Sequence, residues 1–292
     1  MALFPSLKKR LLFALFLFST FFDSAEVQGI VPKNNVIEVS NPLQETFLNA
    51  ANRSLFNLIK LAEQGNSEAQ NNLGLMYIEG QGLPQDYGKA VEYFKRAADQ
   101  ENADAQYNLG LAYASGTGVE KDYKRALDWF TKAANQDHVE AQNNLAIMYN
   151  EGRGVAKDIK KAIELYTKAA DRGGVQAESN LGQIYAEGRG ISQDYKKAAE
   201  WFEKAAIKGS AEAQYNLGAL YAGGKGVVQD DTKTFEWIQK AADQGFMPAQ
   251  YYLGVIYLKG KSVAKDDKKA LEWFEKAADQ GSPEAKEALS KM

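Results

Sequence analysis

The chain has 292 residues, of which 45% are hydrophobic and 25% charged, the balance of a folded globular protein rather than a disordered one. Its formal net charge of −3 gives no general attraction to nucleic acid or anionic lipid. It has no cysteine, which excludes a disulfide framework, a thiolate metal site and a cysteine nucleophile, and it has a single histidine, His138.

The N-terminus differs from the rest. Lys8, Lys9 and Arg10 precede the apolar run Leu11–Phe22, and small and polar residues follow in "DSAEVQG". This is the three-part layout of a secretory signal peptide, with cleavage expected between Ala25 and Gly29. The run is too short to span a bilayer, which takes about 20 residues, so no stable membrane insertion is expected after cleavage; an uncleaved anchor is the alternative. Residues 1–29 are read as the signal peptide and 30–45, aperiodic and carrying Pro32 and Pro42, as a linker. Asn52-Arg53-Ser54 fits an N-glycosylation sequon, which matters only in a eukaryotic secretory route.

From there the chain repeats. "AQNNLG", "AQYNLG", "AQNNLA", "AESNLG", "AQYNLG" and "AQYYLG" begin at Ala69, Ala105, Ala141, Ala177, Ala213 and Ala249, a constant step of 36 residues. In the unit Asn102–Asp137, Ala105, Leu109, Ala112 and Tyr113 form one helical stripe. "SGTGV" then breaks the helix, since glycine supplies the positive φ of a helix C-terminus. Asp122 is placed to N-cap a second helix whose stripe is Ala126, Leu127, Phe130, Ala133 and Ala134. Each unit therefore reads helix, short loop, helix, turn. The cap position recurs as Asp86, Asp122, Asp158, Asp194, Asp230 and Asp266. Gly74, Gly110, Gly182, Gly218 and Gly254, with Ala146 as the one substitute, allow close approach of two helices.

The units span 66–101, 102–137, 138–173, 174–209, 210–245 and 246–281. Flanking them are two half-units that cap the array: a second-helix match within a capping helix over 46–65 and a first-helix start at 282–292. The pattern A-x-x-x-L-G-x-x-Y-x-x-G-x-G-V-x-x-D-x-x-K-A-x-x-W-F-x-K-A-A, read from Ala105 through Ala134, resembles Sel1-like repeats, relatives of the tetratricopeptide repeat. The departures are Gly260-Lys261-Ser262 in place of Gly-x-Gly, and Thr234 in place of alanine. The resemblance implies an all-α fold, an α/α solenoid wound as a right-handed superhelix, with first helices lining a concave groove and second helices on the convex face.

No catalytic constellation is legible. His138 fills the position held elsewhere by Asn66, Asn102, Gly174, Ser210, Phe246 and Ser282, and reads as a surface residue at a helix start. The Gly-x-Gly loops do not follow strands, lack a third glycine and recur in five units, so they read as turns rather than phosphate cradles. The repeated aspartates read as caps, not as paired catalytic carboxylates. No cofactor and no metal are expected.

The concave face carries one ordered row. The residue before each Leu-Gly pair or its equivalent is Asn72, Asn108, Asn144, Asn180, Asn216 and then Tyr252. The resemblance implies that this row points into the groove, where an asparagine side chain can pair with an extended main chain through both donor and acceptor; bonding within the array is the competing reading. Tyr107, Tyr215 and Tyr251 lie beside the row as candidate anchors, and Glu68, Asp104, Glu140 and Glu212 make the groove acidic. A neutral or basic extended partner segment is expected.

Three functions stay open. The first is an exported, non-enzymatic protein–protein interaction scaffold; the resemblance implies roles such as envelope signalling, surface assembly or host contact. The second is a peptidoglycan- or β-lactam-related enzyme, against which stand the missing cysteines of that branch and the lack of a Ser-x-x-Lys nucleophile. The third is a lumenal quality-control adaptor in a eukaryote.

Overall fold

The computed structural model describes residues 42–292, with side chains from residue 53 onward. The signal peptide and most of the linker lie outside the described residues. The chain divides into two units at Arg53 and Ser54; of the first, only the start of one helix is described.

Fourteen helices are present among the described residues, and no strand. Helix α1 runs Pro42–Glu63, so helix begins before the linker was expected to end. First and second helices then alternate: α2 Ser67–Glu79 with α3 Tyr87–Ala98, α4 Ala103–Ser115 with α5 Tyr123–Asn135, α6 Val139–Glu151 with α7 Ile159–Asp171. They continue as α8 Val175–Glu187 with α9 Tyr195–Ile207, α10 Ala211–Gly223 with α11 Asp231–Asp243, and α12 Met247–Lys259 with α13 Asp267–Asp279, followed by α14 Pro283–Leu289. The expected all-α solenoid of six two-helix units is what forms.

Local chemistry sets the boundary between the two helices of each unit. Each of the six aspartates accepts a hydrogen bond from a first-turn amide of its second helix, for example Lys89 N to Asp86 Oδ1 at 2.9 Å. The backbone of the same aspartate donates to a tyrosine carbonyl in the first helix, as Asp122 N does to Tyr113 O at 2.9 Å, and so ties the unit together. First helices stop at Gly80, Gly116, Gly152, Gly188, Gly224 and Gly260, all left-handed. The second glycine of each loop is left-handed as well, and packing adds a further constraint: a Cβ at Gly118 would lie 2.2 Å from Tyr87 O of the preceding unit. Ser262 fills that position in the last unit at φ 72°.

The core lies between first and second helices. Phe94, Phe130, Tyr166, Phe202, Ile238 and Phe274 are buried. The rings sit where the first-helix glycine leaves room, since a Cβ at Gly110 would lie 2.5 Å from the Phe130 ring. In the third unit the facing position is Ala146, and the ring is Tyr166, whose phenol burial pushes well up.

A buried polar seam joins consecutive units. Gln70 Nε2 donates to Ala62 O of the preceding helix at 2.9 Å, and its Oε1 accepts from Gln100 Nε2 at 2.7 Å. Gln106, Gln214 and Gln250 repeat both bonds. The third unit breaks the pattern. Arg172 replaces the donor glutamine and pairs with Asp137 at 2.6 Å, leaving Gln142 Oε1 without a partner among the described residues. The fourth unit changes its chemistry. Glu178, only 3% exposed, takes Lys208 Nζ on Oε1 at 2.7 Å, while its Oε2 is buried without a partner among the described residues.

The second helices carry an outward aromatic row. Lys132, Lys204, Lys240 and Lys276 lie over Trp129, Trp201, Trp237 and Trp273, with 3.8–4.3 Å between ammonium and ring centroid. Among the described residues, no helix is long and apolar enough to cross a membrane.

Candidate binding groove

The groove follows from the first-helix pattern. Ala69, Leu73 and Gly74 are buried on the face that meets the second helices. At 100° per residue, Glu68, Asn72, Leu75 and Glu79 fall together on the opposite face. The same stripe recurs in every first helix, ending with Pro248, Tyr252, Val255 and Lys259 in α12.

The asparagine row is not uniform. Asn108 Nδ2 donates to Asn71 Oδ1 at 2.9 Å and Asn180 Nδ2 to Asn143 Oδ1 at 3.0 Å, each bond joining two first helices. At these two positions the competing reading, bonding within the array, is met. Asn72 is exposed, Asn216 is half-buried, and Asn144 is 8% exposed. None of these three side chains has a hydrogen-bond partner among the described residues.

The tyrosines divide too. Tyr107 is 9% exposed, with its ring stacked on His138 at 4.7 Å between centroids and tilted against Phe130 at 5.9 Å. Its ring is taken up in packing between units. Tyr251 is half-buried and rests on Phe274 at 5.7 Å, so it too serves the core. Tyr215 packs on Phe246 at 5.6 Å and presents its ring edge-on to Tyr252 at 6.4 Å, both tyrosines remaining half-exposed. Burial, with Tyr252 nearby, pushes the Tyr215 phenol up.

His138 also departs from expectation. It is a helix start, since Nδ1 accepts from Ala141 N at 3.2 Å, but its side chain is only 10% exposed. Nε2 meets Asp104 Oδ1 at 3.1 Å, and Glu140 Oε2 lies 3.5 Å from Nδ1. The ring is thus enclosed between two units by Tyr107 and two carboxylates. Sequence reasoning missed this because the contact links the cap of one unit to the first helix of the unit before.

Electrostatically the groove is acidic along its first turns, at Glu68, Asp104, Glu140 and Glu212. Partial burial pushes the Glu79 carboxyl up. No group of three or more His, Asp or Glu side chains suited to a metal ion occurs among the described residues. The arrangement is a long surface of amides, aromatic edges and carboxylates carried on a rigid scaffold.

An α-solenoid of two-helix repeats with such a face is a protein-interaction architecture. The Sel1 repeat family profile matches residues 67–102, 103–138, 139–174, 175–210, 211–246 and 248–282, so the chain belongs to the Sel1 repeat family. A Sel1 repeat protein of Oxalobacter formigenes is similar in structure, with 37% identity and a TM-score of 0.74 over 80% of this chain and 68% of that one. So is c5321, a protective antigen of uropathogenic Escherichia coli with an SLR fold, at 35% identity and a TM-score of 0.59. That match covers 80% of this chain and 58% of the other. Among curated proteins no sequence matches.

Proposed function

We propose that the protein is an exported, non-enzymatic scaffold that holds an extended, neutral or basic segment of a partner protein in the groove of its first helices. The observation that supports this reading is the row of Asn72, Asn144 and Asn216 on the outer stripe of the first helices, none hydrogen-bonded among the described residues, with Asn72 exposed, Asn216 half-buried and Asn144 nearly buried. A primary amide donates and accepts at once, which matches the alternating groups of an extended main chain. The acidic first turns favour positive charge on the ligand and disfavour acidic segments. The N-terminal signal layout supports export, and the antigen standing of the similar Escherichia coli protein is in keeping with an exposed location.

The test is a phage-displayed library of random twelve-residue peptides panned on the parent and on a variant carrying Asn72→Ala, Asn144→Ala and Asn216→Ala. Circular dichroism first establishes equal helicity. The reading expects enriched neutral or basic sequences whose binding falls at least tenfold in the variant. Enrichment of acidic sequences, or equal binding by both proteins, contradicts it. Sequencing the N-terminus of the mature protein from the producing cell tests export separately.

A further inference from the structure

The residue that starts each first helix cannot change charge near neutral pH in five of the six units: it is Asn66, Asn102, Gly174, Ser210 or Phe246. In the third unit it is His138, the one histidine of the chain. The bonds around the ring define where its proton sits. Nδ1 accepts from Ala141 N at 3.2 Å, so the proton is on Nε2, which donates to Asp104 Oδ1 at 3.1 Å. This arrangement is that of a neutral ring. Yet Glu140 Oε2 lies 3.5 Å from Nδ1, so an unprotonated nitrogen faces a carboxylate oxygen.

A second proton on the ring has only Nδ1 to go to. There it opposes the Ala141 N–H, and the cap bond is given up; Glu140 Oε2 becomes the acceptor. The protonated ring then holds Asp104 through Nε2 and Glu140 through Nδ1, one ion pair to the preceding unit and one within its own. Tyr107, stacked at 4.7 Å, keeps the ring in place in both states, and its π face favours the cation. The titratable groups facing the ring are Asp104 and Tyr107 from α4 and Glu140 from α6. Asp137, in the turn just before it, is paired with Arg172 at 2.6 Å. Asp104 and Glu140 are two of the four carboxylates that make the groove acidic, with Glu68 and Glu212. Their side chains are 64% and 41% exposed, so they reach the groove while the ring between them is enclosed.

We propose that His138 is a pH-responsive element that sets how strongly the groove attracts a basic partner segment. With the ring neutral, the charges of Asp104 and Glu140 both act on the partner. With the ring protonated, one of the two charges is cancelled and both carboxylates are engaged, so the attraction falls. The proposal rests on the groove reading above and adds its regulation. Linkage makes the effect reciprocal: a bound basic segment disfavours proton uptake by His138 as much as the proton disfavours the segment. His138→Asn separates the cap from the charge. Asn66 Oδ1 accepts from Ala69 N at 2.7 Å and Asn102 Oδ1 from Ala105 N at 2.8 Å, so asparagine keeps this helix start and does not titrate.

The full chain and its His138→Asn variant are compared between about pH 8 and about pH 5.5, the span over which a histidine ordinarily changes charge. The first readout is NMR. The single histidine gives one set of ring C–H signals, and the Ala141 amide reports the cap bond. Both should move along one titration curve in the parent, and the Ala141 amide should stay fixed in His138→Asn. The second readout is anisotropy at low salt with two fluorescent peptides, one of five Lys-Ser repeats and one of five Gln-Ser repeats. The lysine peptide should bind the parent about threefold more weakly at the lower pH, the size of one surface charge. The glutamine peptide, and both peptides on His138→Asn, should show no change. A ring signal that titrates while the Ala141 amide stays fixed overturns the exchange of bonds. An equal fall in the parent and in His138→Asn assigns the pH dependence to other groups and overturns the proposal. Lysine-peptide binding that is lost in the triple asparagine variant but is indifferent to pH overturns the switch and leaves the groove standing. Binding unaffected by that variant, or no binding at either pH, overturns the groove reading and the proposal with it.

Discussion

The groove over units 1–3 and the groove over units 5–6 are built on one backbone plan yet present different surfaces. At the N-terminal end Tyr107 is enclosed by His138 and Phe130, and Asn108 is spent on Asn71. At the C-terminal end Tyr215 and Tyr252 are half-buried with their rings edge-on, and Ala219 and Gly223 are exposed. A repeat array fixes where side chains point, because each unit must bury itself against the next. What those side chains offer a partner depends on whether the neighbouring unit has already used them. Residue type alone does not decide this; the cap position of the following unit does. His138 covers Tyr107, whereas Phe246 packs on Tyr215 and leaves its edge toward Tyr252.

Substitutions can break this comparison. The largest contrast is between two tyrosines. Tyr107→Ala should cost about 3 kcal/mol in equilibrium denaturation, as loss of a buried aromatic does, while leaving peptide binding intact in the folded fraction. Tyr252→Ala should cost about 1 kcal/mol and weaken peptide binding about tenfold. Equal stability losses would show that the two ends are packed alike.

A second contrast concerns the helix-approach glycines. Gly110→Ala drives a methyl group to 2.5 Å from the Phe130 ring and should cost about 2 kcal/mol. Gly218→Ala faces the flexible end of Ile238 at 3.0 Å and should cost well under 1 kcal/mol, offset by the better helix propensity of alanine. The same denaturation series reads both, and a larger loss at Gly218 would contradict the packing described.

The polar seam gives the next effects. Lys208→Ala leaves Glu178 buried without its cation and should destabilise by about 1–2 kcal/mol, reduced by the partial exposure of the lysine. Glu178→Gln restores the amide used by the other units, whose Nε2 donates to the carbonyl eight residues earlier, and should stabilise by about 1 kcal/mol. Ser262→Gly should give a gain of about 0.5–1 kcal/mol from relieving a left-handed serine. Thermal melts resolve the signs of all three.

The scaffold was legible in the sequence because its signals are local and repeated. The six aspartate caps and the glycine stops each act within one turn of their own position, and the 36-residue step aligns them without ambiguity. The glutamine seam was present in the same repeated hexapeptide but was not recognised, since a polar residue beside an apolar stripe reads as surface until its two partners, 8 and 30 residues away, are seen. The groove was legible only as a row of positions. That Asn108 and Asn180 bond across units depends on the neighbour at each junction: Asn71 and Asn143 accept these bonds, whereas Ser179, at the equivalent place before Asn216, is bonded to Val175 O and Ser210. Contacts between non-equivalent positions of adjacent units leave no trace in periodicity.

The most direct test of the central claim, that the first-helix face is the binding surface, is a photo-crosslinking map. A peptide selected on the parent would carry a photoreactive group at its centre, and crosslinked residues would be read by mass spectrometry. The account predicts crosslinks on α6, α8, α10 and α12, at or beside Asn144, Asn180, Asn216 and Tyr252. Crosslinks on the second helices, around Trp129, Trp201 and Trp237, would contradict it and move the binding surface to the opposite face.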